Sequence, residues 1–249
     1  MKKVFLMLLG ILVCLSLSIS FAACDDEEET TDESAESTGE SVESADESAD
    51  TTEDTAEIEG ISEEKWNAML DALNFENYTL DFQGEMTVTV DGQVEGGTNS
   101  VHSIYRVTQD AIEIVIVVGN QEIPMVFTGN DAATQKAESS QLYLAILANY
   151  DNFTYDAENK VYTIKDTVIN TEITVIVNGV SSSEKMPVQI EVKEGTATVS
   201  EDEKILMLVC EYAQTMTING KVTKTEAHNT TWTFSNYGST VINTETSVS

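Results

Sequence analysis

The chain is short of the residues that usually mark covalent staples or reactive chemistry. Its 249 residues contain three cysteines, two prolines, two histidines and one arginine. Cys14 and Cys24 sit at the N-terminus, which leaves Cys210 alone in the body of the chain, so no disulfide framework can be built there. Cys210 ends the apolar run 205–210 and reads as a small buried hydrophobe, not as a nucleophile. Pro124 and Pro187 stand apart, and neither falls in a linker-like stretch. His102 and His228 occupy polar strand contexts and read as surface residues, so a two-histidine metal site would need the fold to join them. Basic residues are scarce: 12 Lys and Arg face 44 Asp and Glu, a formal net charge of −32. That balance disfavours nucleic acid and anionic membrane surfaces as partners, and it repels acidic substrates unless a local basic pocket exists.

Signature motifs are missing as well. There is no G-x-G-x-x-G, no G-x-x-x-x-G-K-[ST], no G-x-S-x-G and no EF-hand loop. Carboxylates are so numerous that no pair stands out as the two a glycoside hydrolase needs. Asp110, Asp131, Asp156, Asp166 and Glu194 read first as turn residues, with loose calcium binding at acidic loops as the other reading. The expectation is a noncatalytic protein with no cofactor and no metal site, and a carboxylate-dependent hydrolase is the remote alternative.

What is present begins with Lys2 and Lys3, an apolar run over residues 4–15 and a small-residue stretch ending at Phe21, Ala22, Ala23 and Cys24. This is the three-part layout of a secretory signal. Its 12 apolar residues are fewer than the 18 or so expected of a transmembrane helix. Ala22, Ala23 and Cys24 resemble the lipobox of bacterial prolipoproteins, with Phe21 where Leu is more usual. The resemblance implies a lipoprotein signal peptide over residues 1–23, diacylglyceryl lipidation of Cys24, and anchorage to the outer face of the cytoplasmic membrane or the cell surface.

Residues 24–60 then carry the lipidated cysteine and an acidic tract. Positions 25–60 hold 17 Asp or Glu and 11 Ser or Thr, with no basic and no aromatic residue. Such a tract cannot bury enough apolar area to offset its ordering entropy, and it is expected to be a disordered tether. It could reach roughly 120 Å at full extension.

Residues 61–249 hold 27 acids against 10 bases and are long enough for one sizeable core. Ser62 can cap a helix that carries Glu63 and Glu64 in its first turn and Trp66, Met69, Leu70 and Leu73 on one face. The period then changes to two: Tyr78, Leu80, Phe82, Met86, Val88 and Val90 alternate with polar residues, Gly84 marks a bend or bulge, and Asp91-Gly92 a turn. Further strands are expected at 101–107, 112–118 and 123–127, and a second helix at 137–149. After Phe153 and Tyr155, alternation around Tyr162 and Ile164, around Ile173 to Val177, and around Val188 to Val192 predicts separate strands, with turns at Asn178-Gly179 and Glu194-Gly195. Residues 205–212 read as a buried strand or a short helix, and Met216, Ile218, Val222, Trp232, Phe234 and Tyr237 complete the apolar inventory.

The fold expected is α+β: a strongly curved antiparallel sheet of about nine to eleven strands, open or half-barrel, covered by two helices. Its order, a helix, long hairpins and a second helix midway, resembles envelope lipoproteins of the LolA and LppX type. That resemblance implies an apolar cavity between sheet and helices, for which Phe82, Met86, Tyr105, Ile114 and Leu144 are the candidate lining. The pairing of Trp66 with Tyr78 and the stretch 233–240 are also similar to uncharacterised surface lipoproteins of Gram-positive gut bacteria. The function expected is noncatalytic binding or carriage of a lipid or other apolar ligand, with a cell-surface structural or protein-interaction module as the alternative.

Overall fold

Ser62 begins the first helix as its spacing predicts. The residue is extended, its Oγ accepts from the Lys65 N–H at 3.4 Å, and Glu63 and Glu64 favour the positive end of α1 (Glu63–Ala72). In this computed structural model, residues 60–73, 77–176, 183–218 and 220–242 are described, and all of them fall in one compact unit. Cys24, residues 25–59 of the acidic tract, Val177 and Asn178-Gly179 lie outside the described residues.

Nine strands form one antiparallel sheet: β1 (Tyr78–Val90), β2 (Gln93–Val107), β3 (Ala111–Val118), β4 (Gln121–Thr128), β5 (Thr154–Asp156), β6 (Val161–Ile176), β7 (Ser183–Val199), β8 (Ile205–Ile218) and β9 (Lys221–Ser235). Their order is β4-β3-β2-β1-β9-β8-β7-β6-β5. Two meanders meet where the first strand pairs with the last, and the sheet is open. Helix α2 (Gly129–Leu147) connects β4 to β5, the two outermost strands, so it passes from one edge to the other over one face. A 3-10 turn (Tyr150–Asn152) follows it.

The fold class is the one the alternation predicts, while several boundaries differ. β2 starts eight residues earlier than expected because the left-handed Gly96 and Gly97 let the chain slip register against β1 without leaving the sheet. Helix α2 also starts eight residues earlier: its first turns, with Ala132, Ala133, Gln135 and Lys136, carry no apolar stripe to announce a helix. The alternation around Tyr162 and around Ile173 belongs to a single strand, β6. Glu194-Gly195 is not a turn. β7 runs straight through it, and the glycine is there because a Cβ would stand 2.6 Å from Cys210 Cβ and 2.9 Å from the Val209 carbonyl.

That glycine belongs to a line across the sheet. On the inner face Gly84 (β1), Thr230 (β9), Cys210 (β8), Gly195 (β7) and Ile164 (β6) lie side by side. Beside this row the register slips at Gln83/Glu85, Cys210/Tyr212 and Val192/Glu194. A bulge bends its own strand, so bulges aligned on neighbouring strands bend the sheet along one line. Gly84 allows the close approach at that line, since a Cβ there would meet Thr230 Cγ2 at 2.6 Å.

On one side of the line the inner face is aromatic and meets the helices. Trp66 is fully buried, its ring 4.9 to 5.7 Å from those of Tyr162, Phe153 and Tyr150, and its Nε1–H donates to the Leu147 carbonyl at 2.8 Å. Tyr143 of α2 stands edge-on to Phe234, Phe82 lies against Trp232, and Tyr212 reaches Trp232 from across the line. On the other side Met86, Ile173, Val188, Ile190, Met216 and Ala227 continue the buried face, with Thr223 and Thr225 among them.

Candidate functional site

Between α2, from Ala133 to Leu144, and the neighbouring ends of β1 and β2 lies a cleft of about 310 Å³. Its walls are Leu73, Tyr78, Val107, Ala133, Ala137, Tyr143 and Leu144, and its polar groups come from Thr108, Gln109, Lys136 and Ser140. The volume falls at the lower end of the range typical of small-ligand sites, as does the plan of apolar walls with few polar groups.

The sequence builds this cleft with small residues. Ala133, Ala137 and Ser140 recur at helical spacing on α2, so the helix offers backbone and methyl groups where larger side chains would close the gap. Tyr78 and Tyr143 share a hydrogen bond, hydroxyl to hydroxyl, at 2.9 Å. Burial holds both phenols above their ordinary titration range, Tyr143 well above. Whichever of the two ionises accepts from the hydroxyl of the other, which then holds its proton more tightly.

Lys136 stands at the mouth. Its ammonium donates to the main-chain carbonyls of Thr108 and of Gln109, the second at 2.7 Å, in the turn between β2 and β3. Desolvation draws its pKa down, and the Asp110 charge opposes that shift. No carboxylate oxygen lies within 4.0 Å of it among the described residues, although four acids do pair with Lys65, Arg106, Lys185 and Lys224.

Of the five residues expected to line a cavity, Phe82, Met86, Tyr105 and Ile114 face inward as predicted and are buried in the core. Leu144 alone borders the cleft. Tyr105 is nearly inaccessible, and burial raises its phenol pKa against the opposing effect of the Ser103 hydroxyl, fully buried beside it. The alternation of β1 and β2 shows the inward residues directly. Ala133 and Lys136 precede the expected helix, in a segment without an apolar stripe, and Ala137 and Ser140 fall inside it, where small residues carry no mark of a cleft wall.

The two histidines come closer than their separation in sequence suggests. Both lie on the outer face on strands flanking β1, His102 opposite Gln83 and His228 opposite Glu85. His102 lies 3.2 Å from Asp81, and His228 lies 3.7 Å from Glu211. Among the described residues no group of three His, Cys, Asp or Glu side chains is arranged to hold a metal ion. Cys210 is buried and its thiol pKa is pushed up to about 12, chiefly by desolvation.

No family model matches the chain, and no curated protein matches it. Among solved structures, the ywiB protein from Bacillus subtilis is similar over 64% of this chain and 92% of its own length, at 11% identity and a TM-score of 0.23. A DUF1329 family protein from Desulfovibrio piger is similar over 72% of this chain and 92% of its own, at 9% identity and a TM-score of 0.16. At those scores neither likeness bears on function.

Proposed function

We propose that this chain is an extracytoplasmic bacterial lipoprotein, anchored through Cys24, whose domain binds or carries an apolar ligand without catalysing a reaction. The observation that carries the binding reading is the cleft between α2 and the sheet, with Leu73, Val107 and Leu144 on its walls and alanines on its helical side. The lipobox-like Ala22, Ala23 and Cys24 support the anchor, and the acidic tract after them would let the domain stand off the bilayer. The partners are then the membrane, through the N-terminal lipid, and a lipid or other apolar molecule.

Native mass spectrometry of the full chain purified from membranes tests both parts. Expected are a covalent mass increment on the N-terminal peptide at Cys24 and a second, noncovalent increment that leaves in organic solvent. An unmodified Cys24 removes the anchor, and a bare domain mass that persists after incubation with alkyl ligands removes the carrier.

A second reading, a surface module for a protein partner, is favoured by the edge of β6. Only Val161, Tyr162 and Thr163 pair with β5, so residues 167–173 lack a second strand partner among the described residues, and Val168 is 56% exposed.

A further inference from the structure

Every charge that borders the cleft belongs to Lys136, in a domain where acids outnumber bases 27 to 10. Its carbonyl partners on Thr108 and Gln109 are neutral. An ammonium has three N–H donors, so these two acceptors leave one donor for the cleft and a positive charge that Asp110 influences only from beyond ion-pair distance. A carboxylate oxygen from the protein would neutralise that charge, yet none lies within the 4.0 Å at which four other basic residues of this domain meet their acids. Away from Lys136 the walls become apolar, toward Leu73, Val107 and Leu144, with the Tyr78 and Tyr143 hydroxyls engaged with each other. The volume of about 310 Å³ equals about ten waters at roughly 30 Å³ each, and a methylene is close to a water in size.

Resting on the binding reading above, we infer that the cleft selects an amphiphile with an anionic head group, carboxylate or phosphate, whose head pairs with Lys136 and whose short alkyl chain lies along Leu73, Val107 and Leu144. Lys136 is thus a specificity residue. The acidic surface repels anions in bulk, and a charge-assisted hydrogen bond in a partly desolvated cleft is what overcomes that repulsion locally.

The test is calorimetric titration of the purified full chain with decanoate and decyl phosphate, each below its micelle concentration, and with decanol below its solubility limit. Expected is binding of at least one anion about tenfold or more tighter than decanol, the ratio that one hydrogen bond to a charged group supports. The tighter anion names the head group. In Lys136→Gln the anion should bind no better than decanol to within about twofold. Lys136→Arg should keep most of the preference, and unchanged melting of both variants shows that the turn holding Thr108 and Gln109 is intact. Equal binding of decanol and both anions to the native chain overturns the head-group inference and leaves the cleft as a site. An anion preference that survives in Lys136→Gln overturns it too. Ala137→Trp, which fills the cleft, should abolish binding of all three; if it does not, or if none of the three binds the native chain, the binding reading falls and the inference with it.

Discussion

The sheet has two halves that meet along the line of Gly84, Thr230, Cys210 and Gly195, and they are stabilised differently. Before the line, Trp66, Tyr143, Phe153, Tyr162, Trp232 and Phe234 pack as rings, and the helices add directional bonds such as that from the Trp66 Nε1–H to the Leu147 carbonyl. Beyond it, apart from Tyr212, the buried inner residues are Met, Ile, Val, Ala and Thr. Rings have few rotamers and preferred mutual geometries, so the first half specifies one arrangement; Met and aliphatic side chains adapt to several. The cleft with Lys136 opens at the rigid end, where a fixed wall can position a head group.

Substitutions on each side and at the line sharpen that contrast. Trp66→Ala should be the most damaging, at about 3–5 kcal/mol in urea unfolding, because it removes a buried ring and leaves the Leu147 carbonyl without its donor. A loss under about 1 kcal/mol would mean that the aromatic half is not the anchor. At the line, Gly195→Ala should cost about 1–3 kcal/mol, since its methyl meets Cys210 Cβ and a main-chain oxygen that cannot move aside. Unchanged stability would show that the strands separate freely there.

The tyrosines give the rigid half a pH signature. Tyr78 and Tyr143 titrate above their ordinary 10.0 in the fold, so the folded state keeps protons that the unfolded chain has released. Their contribution is complete below pH 10 and is lost as pH rises from 10 toward the folded values. Unfolding curves collected between pH 9 and pH 11.5 should therefore show falling stability, with a shallower fall for Tyr143→Phe. Equal slopes would place the alkaline sensitivity elsewhere. The mildest effect is expected beyond the line: Ile190→Val should cost about 0.5–1.5 kcal/mol, and a larger loss would show that this half is packed as tightly as the first.

Much of the architecture is legible in the residues. The inward set of β1 can be read off from Tyr78 to Val90, and Trp66, Met69 and Leu70 declare α1 by spacing, because burial on one face imprints a period. Gly84 reads correctly as a bulge and Gly195 wrongly as a turn, although each is set by close approach of a neighbouring strand. Local sequence cannot tell a glycine that reverses the chain from one that makes room for a strand distant in sequence. The cleft was the least visible. Leu144 stands out as apolar, but Ala133, Lys136, Ala137 and Ser140 acquire meaning only when α2 crosses from β4 to β5 and lays them over Tyr78 and Val107.

By itself, then, the sequence determined which residues lie inward and that an antiparallel sheet with two helices forms, since each depends on periods of two and 3.6 along a few turns or strands. Only the tertiary structure decided that β1 pairs with β9, that small residues align into a bend across strands remote in sequence, and that one lysine faces a cleft in an acidic domain. Those outcomes depend on the register between distant segments, and register is fixed by packing the whole inner face at once.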